Sequence, residues 1–473
     1  MLTRTARLIA AVAALAIAPL SAHSQSDPSL KLTSSPAAIA EFRAGVSDFQ
    51  NLSVESAASH FKAAIDADPS FGLARVFFAS STPTLDPDQL TTELNRGVAD
   101  AARGSTNELV LAAAYREGAL NHAAAANALF RAASQLMPGD ELLAWNSAGG
   151  FGAPVATTRD FVAHHPNFAG GYNTLAYQAF QAGDRAGGLA AAKRQIELIP
   201  NVPNPHDTYA ELLQWNGNFA EAAAHYQQAA KLSPKFPEAY AGLAEVAALQ
   251  GQYDQARSYL NQAIANAWTP QQKLGYMRQI VGTYSLQGAR SDVTMKALDA
   301  AIAQAKANGN AQATAVLYSQ LATTQAFAGN TTAAHQLLAM AEAGSNVPWN
   351  VHYFGAMAHG LMKHWAPAGQ ELAALKAQSA TNPNTVPPSF IAALEGFQLT
   401  QQGKPADALP ILMAADTTNV LVMNRIAEAH AALGHADEAA VWNNRVNANY
   451  ALNLADFTNV NSRRRAKLAT AKR

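Results

Sequence analysis

The sequence contains no cysteine at all. That absence excludes disulfides, thiolate metal centres, a cysteine nucleophile and lipid attachment at an N-terminal cysteine, so stability must come from packing. Charge is also sparse, at 14% of residues with a formal net of −1. A chain this close to neutral offers no electrostatic footprint for nucleic acid. Catalytic motifs are missing too. The stretch "GDRAGGLAAAKR" has a glycine pair and a lysine at the wrong spacing for a phosphate loop, and no G-x-S-x-G elbow precedes a helix. Asp66–Asp68 and Asp86–Asp88 fall in turns, where aspartate is favoured because it bonds its own backbone. No catalytic residue and no cofactor follow from the sequence, which does not read as an enzyme.

One apolar run stands out, "LIAAVAALAIAPL" from Leu8 to Leu20, 13 residues long. It falls short of the roughly 20 residues that a membrane-spanning helix needs. Arg4 and Arg7 precede it, and Ala22 and Ser24 flank His23 after it, the order of a secretory signal peptide. The expectation is a signal at 1–24, cleavage near Ser24, and a soluble bacterial protein of the periplasm or the outside. No later stretch is apolar enough to span a membrane. The last 13 residues, "NSRRRAKLATAKR", carry six basic and no acidic residues, which leaves the body at about −9. Such a run reads as the solvated polar cap of a final helix rather than as a lipid or nucleic-acid site.

What the sequence has in place of motifs is a period. Pro166, Pro200 and Pro234 are 34 residues apart, and Gly183, Gly217 and Gly251 keep the same step, as do Ala176, Ala210 and Ala244. Tyr240, Leu243 and Ala247 share one face of a helix, and Ala222, Tyr226 and Ala229 share one face of the helix before it. Small residues let paired helices approach closely, and the aromatic fills the space beside them. The glycine ends the first helix of a pair in the left-handed conformation, and the proline stops the second.

A 34-residue helix–turn–helix unit with these columns resembles the tetratricopeptide repeat. The three units from Gly170 to Trp268 fit it best, with Trp268 where the proline would stand. Weaker copies carry Gly288, Gly329, Gly403 and Gly434, with a turn near His364 between the second and third. Upstream copies carry Ala57, Phe61, Ala64 and Pro69, then Ala126, Phe130, Ala133 and Pro138. The resemblance implies an all-α, right-handed superhelical solenoid of about ten helical pairs. Residues 25–143 form N-terminal repeats, 144–165 an irregular insertion, 166–450 the main solenoid and 451–473 a capping segment with a basic tail. Three stretches, 80–94, 144–160 and 381–389, read as loops.

The resemblance also implies a function. Such arrays bind an extended peptide or a helix in the concave groove lined by their first helices. Carrying the groove places onto the best-matched units selects Asn173, Tyr177, Gln181, Glu211, Gln214, Trp215 and Glu245. No lysine stands among them, so a partner's acidic terminus is a poor fit, and basic or amide groups are a better one. Trp215 is either a binding residue or a wedge between repeats. Phe327, Phe354, Leu361, Met362 and Phe397 hold corresponding places further on and read as core. Thirteen histidines raise a metal question, and His352, His359 and His364 lie close in sequence. They lack HExxH spacing and read as ordinary helix-face residues, as do His164 and His165. The expected function is a non-enzymatic protein-binding scaffold of the cell envelope. The alternatives are a solute-binding or enzymatic protein with its site in the superhelix cavity, and a subunit of a secretion or polysaccharide-export assembly.

Overall fold

Helices of 7 to 18 residues with alanine on the packed face cannot bury that face alone, and the chain answers by packing them side by side. The computed structural model describes residues 32–51, 53–82, 87–287, 291–344, 347–381 and 386–448. Among these there are 24 α-helices, one 3₁₀ turn at Gly150–Gly152 and no strand. The fold class is the all-α helical repeat that the period implies. The proposed leader at 1–24, the basic tail and Gly288 lie outside the described residues.

The expected punctuation is present. Helices Val54–Ala67, Ala123–Leu136, Val155–His164, Arg185–Leu198 and Phe219–Leu232 each end two residues before a proline, at 69, 138, 166, 200 and 234. Gly183, Gly217, Gly251, Gly329, Gly403 and Gly434 all have φ between 78° and 91°. At these turns two backbone bonds close the helix end. Gly183 donates to the Phe180 carbonyl and Asp184 to that of Ala179, a pattern repeated at Gly251–Gln252, Gly329–Asn330, Gly403–Lys404 and Gly434–His435. Two residues without glycine's freedom take the same conformation, Asn121 at φ 59° and Lys363 at φ 62°. Lys363 is the turn expected near His364, with a lysine in the glycine column.

Two expectations change. The loop read at 80–94 holds the start of a helix, Pro87–Ala101, paired with Gly72–Ser81. Within the stretch read as an irregular insertion, Val155–His164 is helical and packs on Ala169–Gln181, with its Phe161 ring against Trp145 of Glu141–Ser147 beyond the glycine break at 149–152.

The chain divides into two compact units, one running through Leu213 with Lys231–Pro234 and one of Gln214–Ala230 with Lys235 onward. The first has an aromatic-rich core in which Phe42, Phe61, Phe71 and Phe77 meet with ring centroids 5.1–5.7 Å apart. Tyr115 extends it towards Phe130, and Trp145, Phe161 and Phe168 form a second group of rings. In the second unit first helices touch both their own partner and the next first helix, as Ala311–Phe327 touches Thr331–Glu342 and Trp349–Leu361. Its core is mostly aliphatic, with Leu260, Leu298, Leu317, Leu375 and Leu412 buried. Phe354 and Phe397 are buried there as expected, whereas Phe327 is 43% exposed.

Candidate functional site

The residues assigned to the groove come from first helices, where one face packs and the adjoining face decides what a partner meets. In the first unit, Asn173 on helix Ala169–Gln181 is buried. Its amide donates to the Thr208 hydroxyl at 2.9 Å and approaches the Gln195 and Asn204 side-chain oxygens at 3.4 Å. Asn173 is thus a tie between helices. One helical turn on, Tyr177 is half-buried and donates its hydroxyl to Glu211 at 2.6 Å. Burial raises the Glu211 carboxyl above the ordinary carboxylate range, against the downward pull of that hydrogen bond. Burial also raises the Tyr177 hydroxyl, helped by the charges of Glu211 and Asp207. Gln181 is exposed at the helix end.

In the second unit, Gln214 is completely buried and bridges two elements. It donates to the Glu245 carboxylate at 3.0 Å and accepts from the Tyr226 hydroxyl at 3.3 Å. Glu245 and Trp215 are each partly exposed. The seven residues thus resolve into two bonded groups, Tyr177 with Glu211 and Gln214 with Glu245. Asn173 and Gln214 are inside, and the carboxyls they or their neighbours orient are nearer the surface.

Two features escaped the sequence reading. The first is a cleft of about 510 Å³ in the second unit, lined by Lys306, Asn310, Tyr318, Met340, Val347 and Pro348 among others. Lys306 stands 5.2 Å from the Tyr318 ring centroid, and Met340 is 49% exposed. The second concerns histidine. His335, His359 and His364 converge so that one ring nitrogen from each lies within 4.8 Å of the others. The sequence marks His359 and His364 as helix-face residues; the structure brings them together and adds His335, 24 residues before His359. His352, their sequence neighbour, instead pairs with Glu371 at 2.7 Å. The spacing of five between His359 and His364 was the available signal. It places residues on either side of a left-handed turn, and the same offset joins Glu117 to His122 and Gln325 to Asn330.

Comparison with known proteins centres on the same stretch as the period. Residues 215–271 match the tetratricopeptide repeat family model. None of the curated proteins matches the chain. Among solved structures, it is similar to the APC/C hetero-tetramer Cut9-Hcn1 at 14% identity and TM-score 0.43, over 91% of this chain and 76% of that one. It is similar to yeast Tom70 at 13% identity and TM-score 0.42, over 86% and 96%. A tetratricopeptide repeat protein from Parabacteroides merdae aligns at 12% identity and TM-score 0.31, over 64% and 98%. At these scores the three likenesses carry no argument about binding. No helix among the described residues is long and apolar enough to cross a membrane.

Proposed function

We propose that this all-α helical-repeat chain, whose residues 215–271 match the tetratricopeptide repeat family model, acts as a non-enzymatic scaffold of the bacterial cell envelope, holding an extended peptide or a helix of a protein partner. Residues 1–24 direct it out of the cytoplasm in this reading. What supports the binding role is the way partly exposed acids are held in place on first helices. Tyr177 fixes Glu211, and Gln214 fixes Glu245, so neither carboxylate has to be ordered when a partner arrives. Each unit offers its own acid, Glu211 in the first and Glu245 in the second, and no lysine stands among the seven residues, which suits a partner segment bearing basic or amide groups.

The test is affinity capture from periplasmic extract with wild-type chain, Trp215→Ala and Glu211→Lys side by side. A scaffold retains a defined protein that either substitution releases, while circular dichroism stays unchanged. If no protein is retained and a small molecule raises the unfolding temperature instead, the cleft at Lys306–Tyr318 becomes the functional site and the scaffold reading is abandoned. Cell fractionation, with and without residues 1–24, checks the location.

A further inference from the structure

We propose that His335, His359 and His364 form a binding site for one divalent transition-metal ion of the zinc class. The three residues come from successive elements of the second unit. His335 lies on helix Thr331–Glu342, His359 on helix Trp349–Leu361, and His364 precedes helix Trp365–Thr381. Chain geometry fixes two of them. Lys363, at φ 62°, turns the backbone so that the His364 amide donates to the His359 carbonyl at 2.8 Å, which sets both imidazoles on one side of the turn. His335 then stacks on His364, with centroids 5.1 Å apart and planes 11° from parallel, and lies 5.5 Å from the His359 ring.

An independent observation makes this more than a cluster of like residues. His359 is only 8% exposed, and its Nδ1 is buried with no hydrogen-bond partner. A buried ring nitrogen left unpaired is costly. A metal ion is an electrophile that such a group of nitrogens can share.

The distances are consistent with closure on an ion. Zinc–nitrogen bonds of about 2.05 Å in a tetrahedron place ligand atoms roughly 3.3 Å apart. The present separations of up to 4.8 Å must shrink by about 1.5 Å, and the side chains free to move are the exposed His335 and the half-buried His364. His359 is the fixed anchor. Three imidazoles without thiolate or carboxylate ligands suit zinc, nickel, copper or cobalt, whereas calcium and magnesium require oxygen. A bound ion would staple three consecutive helices of this unit.

The chain supplies its own control. His430 and His435 flank Gly434 with the same offset of five, and their Nδ1 atoms are 3.4 Å apart, but they are only a pair. The experiment uses the untagged full chain stripped with EDTA, titrated with zinc chloride by calorimetry and with cobalt(II) chloride by visible absorption. The expected result is one equivalent of zinc and tetrahedral cobalt bands. His335→Ala, which removes an exposed side chain, and His364→Ala, which removes a half-buried one, each weaken binding more than about tenfold. The double variant His430→Ala/His435→Ala binds as wild type, and magnesium chloride gives no heat. The proposal is overturned if zinc does not bind, or if His335→Ala and His364→Ala bind as wild type. It is equally overturned if only the His430/His435 variant loses the ion.

Discussion

Gly242 offers the sharpest test of how the pairs interlock. It sits on helix Pro237–Leu249, and a Cβ there would stand 2.2 Å from Cε1 and Cζ of Tyr226. Tyr226 is 2% exposed and cannot swing aside without parting from Gln214, which also holds Glu245. Gly242→Ala therefore forces an overpacked core, at about 1–3 kcal/mol, and strains or breaks a buried hydrogen bond worth about 1 kcal/mol. Alanine's better helix propensity returns about 1 kcal/mol. The net is a loss of about 2 kcal/mol, or roughly 4–8 °C in the midpoint for a unit of this size. The same substitution changes sign when the ring is gone. In a Tyr226→Ala background the clash is absent, so Gly242→Ala should be neutral or stabilising by up to about 1 kcal/mol. Four chains, followed by circular dichroism on heating, close the cycle, and hydrogen exchange locates the loss between residues 226 and 245. If Gly242→Ala leaves the midpoint unchanged with Tyr226 present, or costs the same in both backgrounds, the interlock is not what holds these helices.

Three further outcomes follow from named residues. Gly251 has φ 79° and nothing within 4 Å of a Cβ, so Gly251→Ala should cost about 1 kcal/mol through the backbone alone, while Lys363→Gly should gain somewhat less than that; equal midpoints for all three chains refute the conformational role of the column. Arg425 is 4% exposed, bonded to Glu428 at 2.6 Å and 4.8 Å from the Phe397 ring; Glu428→Ala should cost about 3 kcal/mol or more by stranding the guanidinium, and a loss well under 1 kcal/mol in urea unfolding would show that charge to be solvated. Burial raises the Glu211 pKa, so its protonated form stabilises the fold below the unfolded value and that contribution is lost as pH rises through the folded one. Glu211→Gln should accordingly raise the midpoint at pH 7 and match wild type below about pH 4, and a gain that does not shrink on acidification contradicts the assignment.

The architecture was legible because its punctuation is chemical. A glycine that must adopt positive φ, alanines that admit a neighbouring helix and a proline that ends one recur in phase, and the same residues do those jobs in the fold. The misreadings arose where the same residue types play the opposite part. The stretch "SSTPTLDPDQLTTEL" reads as a loop, yet Pro87 opens the helix Pro87–Ala101, the one place where a missing amide costs nothing. Gly149 and Gly150, with φ of 108° and 54°, do break the chain, but only for a turn between two short helices.

The candidate site was legible in direction and not in depth. Period 3.6 places Asn173, Tyr177 and Gln181 along one stripe, but their burial falls from inside to exposed because neighbouring helices cover only part of it. That covering depends on Thr208 and Asn204, 31 to 35 residues away, which no local pattern weighs. The histidines carry the same lesson further. HExxH spacing tests residues on a single helical face, whereas here the pairing runs across a turn that reverses the chain. Residues five apart around a left-handed residue meet whenever the turn closes in the way seen at Gly183, whatever their chemistry. The period places a turn near His364, but the lysine at 363 hides that it is left-handed and that it joins His359 to His364. In a chain built from one repeated sentence, the informative positions are those where a column is filled by the wrong residue. Lys363 is strained where glycine would be relaxed, and it is the residue that sets His359 and His364 side by side against His335.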